Sequence, residues 1–568
     1  MITAIISLCG LSLVAAAPKT THFFPSSVTK GSFPVLVISE GDTGTDPKIW
    51  VDDAKLLVTP GPKSGQFLVE ARADCRPGWH VIRLHNKEGA TNPIPLWVDD
   101  LPNVAEVEPN NAPAQSTPVS LHKKGSSAQA HGKLDKNGDV DGFLVKVPAE
   151  TTLVARLEAN RHLGSPMDAT LQVVDKKGFV LAHNDDSRGV DPEVVWKSSE
   201  PAEVIVRVFS FPSDPNSTIN FAGGPNYIYR LTLSTSENAD HAASVVSSGK
   251  TSQTSTVGWN FSSDGKFRLI PQASAAGYDI ATPADAEPVL IPRSQIAVRT
   301  YNQSDKSSIS QFPVMLTGTI DEFDKSHSFR IEAKKGEAVT FRVFARQWES
   351  IMDPVLTIRD EKGQILLEQD DSGNNSRDLE ATWSPPNDGI YSLEVRDLHD
   401  RSGLRLFYGV ECTKNGVPPE LQLATTNLVV KAGEKTELAF NYDKRSDLDT
   451  PLKVEFVGLP KNFPTLKAVE GEAAPAATPK KGSGRRNRGT SGAGMASVKF
   501  EFTLTPDQFK QVGEFSGPIK FTVKDSAGKE IPVAIAGEKG KRLGLDHLWL
   551  TILAAPAKAE PAKSGEKK

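Results

Sequence analysis

Cysteine is scarce, at three in 568 residues, which excludes a small scaffold held together by disulfides. Cys9 belongs to an N-terminal leader, and the remaining Cys75 and Cys412 each stand alone. Both read as small buried hydrophobes rather than as a bridge between distant domains. Neither charge sign dominates: 65 Lys and Arg against 70 Asp and Glu leave a net charge of -5. That excludes a generally basic nucleic-acid binder, so no nucleic-acid partner is expected. After the leader no run reaches the roughly 18 consecutive apolar residues of a membrane helix, so no transmembrane anchor is expected. Catalytic signatures are missing as well. No Ser has Gly at both flanking second positions, and the 11 His never form the two-His zinc helix pattern. His80 and His85 are five apart, on opposite faces of a strand. Gly249-Lys250-Thr251 ends like a phosphate loop, but Ser244 stands where the first Gly belongs. The expectation is a chain that is not an enzyme.

What is present points to strands. Apolar residues make up 38% of the chain and 44 Gly and 40 Pro punctuate it, too apolar for wholesale disorder and rich in turns. At roughly 150 residues per domain the length predicts about four domains. Residues 1–17 read as a signal peptide, an apolar run ending in Ala15-Ala16-Ala17 before Lys19. From 18 to 102, short apolar runs such as Pro34 to Ser39 and His80 to His85 alternate with Gly/Pro clusters. That spacing predicts a small antiparallel β-sandwich, which loosely resembles an immunoglobulin-like segment.

The chain then repeats itself. Met167 to Asp186 lies on Met352 to Asp371 without a gap, Asp191 to Trp196 matches Asp378 to Trp383, and Gly132 and Phe143 match Gly318 and Phe329. Two copies of one module are expected, at 103–236 and 312–414, each containing a hairpin closed by a Gly turn. Residues 237–311 read as a small β linker domain, and 415–555 as a further sandwich. Thr505-Pro506-Asp507 through Gly513 predicts one short helix in it. The stretch 471–496, rich in Ala, Pro, Gly and Ser with five basic residues, reads as a disordered insertion, and 556–568 as a disordered tail. The fold class expected is all-β, a multidomain chain of β-sandwich (jelly-roll) and immunoglobulin-like modules.

One constellation carries chemistry. Glu106 and Glu108 stand at i and i+2, on one side of an extended chain, followed by Asn110 and Asn111. Some thirty residues later Asp139 and Asp141 repeat the i, i+2 arrangement. Converging carboxylates and amide oxygens suit Ca²⁺, which takes six to eight hard oxygen ligands. The same composition also fits a solvated acidic surface. An EF-hand is excluded, because the twelfth position of the loop starting at Asn137 is Pro148.

The order Glu-x-Glu-Pro-Asn-Asn, then Gly-x-x-Asp with Asp-x-Asp-x-Phe, then Met-Asp and a later Asp-Asp resembles the bacterial pre-peptidase C-terminal domain. That family includes the collagen-binding domains of clostridial collagenases. The resemblance covers both repeats and implies a β-sandwich that often carries calcium. It places metal ligands on Glu106, Glu108, Asn110, Asn111 and Asp141, with Asp139 or a nearby carbonyl completing the shell. In the second copy Lys325 and His327 replace Asp139 and Asp141, so calcium is expected in the first repeat only. The function expected is adhesion, scaffolding or targeting toward an extracellular protein or polysaccharide, by a secreted, periplasmic or cell-surface protein. One rival is a polysaccharide-binding protein presenting Trp348, Trp383 or Tyr391 in one exposed strip; another is an unrecognised secreted hydrolase.

Overall fold

The computed structural model describes residues 16–555 apart from 470–494 and shorter stretches, among them 243–245, 262–265, 272–277, 282–288, 372–377 and 536–544. Most of the leader, the body of the basic insertion and the tail lie outside the described residues. The chain is an all-β multidomain protein, with one short α-helix among the described residues. Its alternating runs bury one face per strand: in Met167–Val174, Met167, Ala169, Leu171 and Val173 are fully buried while Asp168, Thr170 and Gln172 between them stay partly exposed.

Residues 23–99 form a four-stranded and a five-stranded layer, the fifth strand, Gly89–Ala90, pairing beside the main order with Gly78–Asn86. One orders Phe23–Phe24, Val35–Ile38, Gln66–Ala71 and Leu56–Pro60; the other orders Ser27–Thr29, Ile94–Asp99, Gly78–Asn86 and Lys48–Val51. The two repeats share one topology. In the first, Asn103–Ala105, Ser127–Lys133, Ile228–Ser234, Thr151–Glu158 and Glu193–Ser198 make one sheet. Thr117–Val119, Asp141–Val147, Ala202–Pro212, Met167–Val174 and Val180–Asn184 make the other. The second repeats this order from Ala297–Thr300 to Glu380–Trp383 and from Ser308–Ile309 to Ile365–Gln369. It therefore starts with Ala297–Thr300, earlier than the boundary at 312 expected from sequence, because that edge strand has no apolar alternation to mark it. In both copies the hairpin closes the same way. Asp175 and Asp360 accept backbone N–H bonds across the turn, and Gly178 and Gly363 take the left-handed conformation at φ 89° and 80°.

Between the repeats a five-stranded meander runs from Asn238–Ala242 to Val289–Pro292. The last sandwich pairs a sheet containing Lys435–Asp443 and Met495–Thr503 with one containing Phe515–Lys524 and Leu548–Leu553. Met495 and Ala496 already belong to a strand, so the ordered sheet begins inside the expected insertion. The helix Pro506–Val512 is capped by Thr505, whose hydroxyl accepts from Gln508 N while the Gln508 side chain accepts from Thr505 N.

The modules touch through polar seams. Gln129 of the first repeat accepts from Ser27 Oγ at 2.8 Å and donates to Asp99 at 2.7 Å, and Arg230 stacks over Trp97 at 4.5 Å. Arg83, buried in the first sandwich, donates to Asn427 Oδ1 (2.9 Å) and to the Thr426 carbonyl (3.2 Å) of the last sandwich. His85 and Trp50 rest on Trp549. The repeats meet at Asp240, on the strand Asn238–Ala242. Its fully buried carboxylate is bound by Arg188 of the first repeat and by Arg405 Nη1 of the second, the latter at 2.6 Å. Arg161 of the first repeat bridges Glu158 and Glu349 across the same seam. Burial alone would raise Asp240, yet Arg405 and Arg188 hold it well below the ordinary carboxylate range.

Removing that carboxylate leaves two buried guanidiniums without their shared counter-charge. Asp240→Ala is expected to destabilise the paired repeats by roughly 3–5 kcal/mol in chemical denaturation. Burial, aided by Lys48, lowers His85 to about 4. A histidine held neutral in the folded state gives stability that is complete above its unfolded value near 6.5 and falls as pH drops toward 4. Thermal melts from pH 7 to 4 should show that slope in the wild type, and a shallower one in His85→Phe.

Candidate metal centre

The carboxylates come together at one end of the first repeat. Asn103–Ala105 runs parallel to Ser127–Lys133 with Ala105 opposite His131, which brings the next residue, Glu106, beside Gly132 and Lys133. Asp141 opens the strand Asp141–Val147 in the facing sheet. A carboxylate oxygen from each of Glu106, Glu108 and Asp141 lies within 4.8 Å of the others. Glu106 Oε1 accepts from Lys133 N at 2.8 Å, and the fully buried Tyr229 hydroxyl donates to Asp141 Oδ2 at 2.5 Å. Burial and the mutual repulsion of Glu106 and Asp141 raise the Glu106 carboxyl far above its usual range; burial raises Asp141 too, as does nearby Asp139.

Two further residues report an unsatisfied demand. Asp141 Oδ1 is buried without a hydrogen-bond partner, and so are both ends of the Asn110 amide, in a residue with no exposed surface. Asn110 holds its place through its backbone: its N–H donates to Glu108 Oε2 at 3.1 Å, and its carbonyl lies over Gly142, where a Cβ would come within 3.0 Å. Buried polar atoms in this state are rare and call for an explanation, a bound ion among them. The donor set is all oxygen, which suits a hard cation of the Ca²⁺ class.

Not every expected ligand joins the cluster. Asn111 is exposed on the surface. Asp139 is buried near Glu108, but its oxygens serve its own loop, Oδ2 accepting from Asp135 N at 2.7 Å and Oδ1 from Val140 N at 3.2 Å. Tyr229 was absent from the expected set because nothing in the run Tyr227-Ile-Tyr-Arg marks which ring turns inward.

The second copy answers the same position differently. Tyr229 stands opposite Gly132 and Tyr408 opposite Gly318, so the two rings correspond. By the same register Tyr301 replaces Glu106, and the repeat alignment puts His327 in place of Asp141. Tyr301 stacks on His327 with ring centroids 3.6 Å apart, and His327 Nδ1 bonds the Tyr408 hydroxyl at 2.7 Å. An aromatic plug stands where the first copy gathers carboxylates. The exposed strip that the polysaccharide-binding rival requires does not form from Trp383 and Tyr391, which are buried and packed edge to face at 4.7 Å in the core. The aspartates that shape the loops of both copies are Asp191, which accepts from Ala159 N, Asn160 N and Arg161 N, and Asp378, which accepts from Ala345 N, Arg346 N and Gln347 N.

Fold and site together define a multidomain all-β chain that gathers an oxygen-rich acidic cluster at one end of its first repeat. No protein-family profile matches it. A probable subtilase-type serine protease of Deinococcus radiodurans is 34% identical over 98 residues, 17% of this chain and 13% of that protein, so the chain spans a small part of that relative's length. Among solved structures, the pre-peptidase C-terminal domain of collagenase from Bacillus anthracis is 11% identical, covering 21% of this chain and all of that domain, with a TM-score of 0.16. Sidekick-1 immunoglobulin domains 1–5 are 10% identical, covering 95% of this chain and 79% of theirs, with a TM-score of 0.20. At these levels the structural likenesses assign no function. No helix among the described residues is long and apolar enough to cross a membrane.

Gly132 faces the cluster so closely that a Cβ there would stand 1.9 Å from the Tyr229 hydroxyl and 2.6 Å from Glu106 Oε2. Gly132→Ala should therefore destabilise the first repeat by about 1–3 kcal/mol or more, read as a lowered melting temperature.

Proposed function

We propose that this chain is a non-catalytic exported protein whose first repeat is a calcium-stabilised pre-peptidase C-terminal-like module, acting in adhesion, scaffolding or targeting toward an extracellular polymer or protein. The observation that carries the reading is Asp141 Oδ1, buried without a partner beside Glu106 and Glu108, together with the buried, unpartnered side-chain amide of Asn110, whose backbone N–H is bound by Glu108. Glu106, Glu108 and Asp141 would hold the ion, with the Asn110 side chain supplying a neutral oxygen. Bound Ca²⁺ would supply the positive charge that offsets the mutual repulsion of these carboxylates, of which Asp141 is buried and Glu108 faces solvent. The chain's own part is to fix the loop 106–117 over the sheet end, with Val107 N donating to Thr117 Oγ1 at 3.0 Å. The partial match to a serine protease is what an accessory module shared with peptidases would leave.

Calorimetry of the full mature chain tests the site. Ca²⁺ at a hundredfold excess over its Kd should stabilise the chain by about 2.7 kcal/mol, reversed by chelator. Asp141→Asn should lose the response, and a wild type that melts identically with Ca²⁺ and with chelator would remove the site. A pull-down from the source cell's surface fraction, with and without calcium, tests the adhesive role.

A further inference from the structure

A second cluster, in the first sandwich, is made of a different kind of ligand. The turn after Lys48–Val51 carries Asp52 and Asp53, and the loop before Gly78–Asn86 carries Cys75 and Arg76. His80 projects from the strand toward both. Cys75 Sγ lies 3.8 Å from His80 Nε2 and 4.0 Å from Asp53 Oδ2, and one ligand atom from each of the three lies within 4.8 Å of the others. The edges of a tetrahedral zinc site are about 3.5 Å, given bonds of roughly 2.3 Å to sulfur and 2.0–2.1 Å to nitrogen. The cluster needs only a few tenths of an ångström of contraction along its two measured edges.

The surroundings are built for the same purpose. Asp52 Oδ1 takes His80 Nδ1 at 2.9 Å, and Asp52 is itself tied to Arg76 at 3.3 Å. A carboxylate on the far nitrogen is the usual outer support of a metal-bound histidine, because it fixes the ring and directs Nε2 at the ion. Asp53 Oδ1 is engaged by Lys55 N at 2.9 Å, which turns Oδ2 toward the sulfur. Cys75 and His80 are almost wholly buried, at 2% and 0% exposure, while the Asp52 side chain keeps 20%. A substrate could not reach the thiol, but an ion can enter past the aspartates. That burial also argues against a nucleophile working with His80.

We propose that Asp53, Cys75 and His80 form a Zn²⁺ site that clamps the turn at 52–55 to the loop at 72–77. The Arg76 carbonyl, which now accepts from Nε2 at 2.7 Å, gives up that bond to the ion, and the fourth position falls to water. Binding releases the protons of Cys75 Sγ and His80 Nε2. Thiolate and carboxylate then balance the two charges of the ion, so the assembled centre is neutral and tolerates burial. The mixed sulfur, nitrogen and oxygen set selects a borderline-soft ion and separates this centre from the all-oxygen cluster in the first repeat.

Co²⁺ added to the reduced full chain tests the proposal. One equivalent should give the intense visible bands of tetrahedral cobalt and a near-ultraviolet thiolate-to-cobalt band, both bleached by Zn²⁺. Cys412→Ser and Asp141→Asn should keep these bands, whereas Cys75→Ser should lose the thiolate band. Should Cys75→Ser fail to fold by circular dichroism, Asp53→Asn, on a half-exposed turn, is expected to keep the band and weaken Co²⁺ at least tenfold. A wild type without the thiolate band, a band that persists in folded Cys75→Ser, or an Asp53→Asn affinity equal to wild type would overturn the assignment.

Discussion

Charge withdrawn from water must be met by opposite charge or by a proton, and most of what is distinctive in this chain follows from how each module meets that demand. Where the repeats join, Asp240 is met by Arg188 and Arg405, contributed by different modules. The carboxylate and its arginines are each costly to bury alone, so the seam favours one relative placement of the repeats. At the end of the first repeat the same demand is left open, with Glu106, Glu108 and Asp141 gathered and two buried oxygens without partners. In the second repeat Tyr301, His327 and Tyr408 fill the corresponding position with rings and one hydrogen bond.

The acidic cluster lies close to a junction. The strand Ser127–Lys133 presents Gly132 and Lys133 to the carboxylates at one end, while Gln129 on the same strand joins Ser27 and Asp99 of the first sandwich. The short link Asn103–Ala105 that connects the two modules pairs with this strand and leads directly into Glu106. Bracing the loop at 106–117 therefore braces the connection between modules. The first sandwich also contacts the last through Arg83, His85 and Trp50, so the modules are joined at more than their successive links. A surface assembled from several modules suits the binding role proposed above.

Local signals carried most of the architecture. The hairpins could be read because alternation and a Gly turn are properties of adjacent residues, and the duplication because its core strands align without gaps. Glu106, Glu108 and Asp141 were legible from their i, i+2 placement in extended chain. Asn111 and Asp139 stand outside the group of three converging carboxylates, since in turns side-chain direction no longer follows strand periodicity and Asp139 is bonded by its own loop amides. The edge strand Ala297–Thr300 was missed because it is short and only partly buried. The seam was illegible outright, since Arg161 and Glu349 are 188 residues apart and nothing local marks them as partners. Asp53, Cys75 and His80 escaped notice because two loops and a strand, not a motif, bring them together.

The claim on which the account rests is that the carboxylates of the first repeat are gathered to hold a divalent cation. A high-resolution crystal structure of the mature chain grown with calcium addresses it directly. The account predicts an ion bound by Glu106, Glu108 and Asp141 oxygens at about 2.3–2.6 Å within a shell of six to eight oxygens. Carboxylates that share protons or water around an empty centre, at saturating calcium, would contradict it.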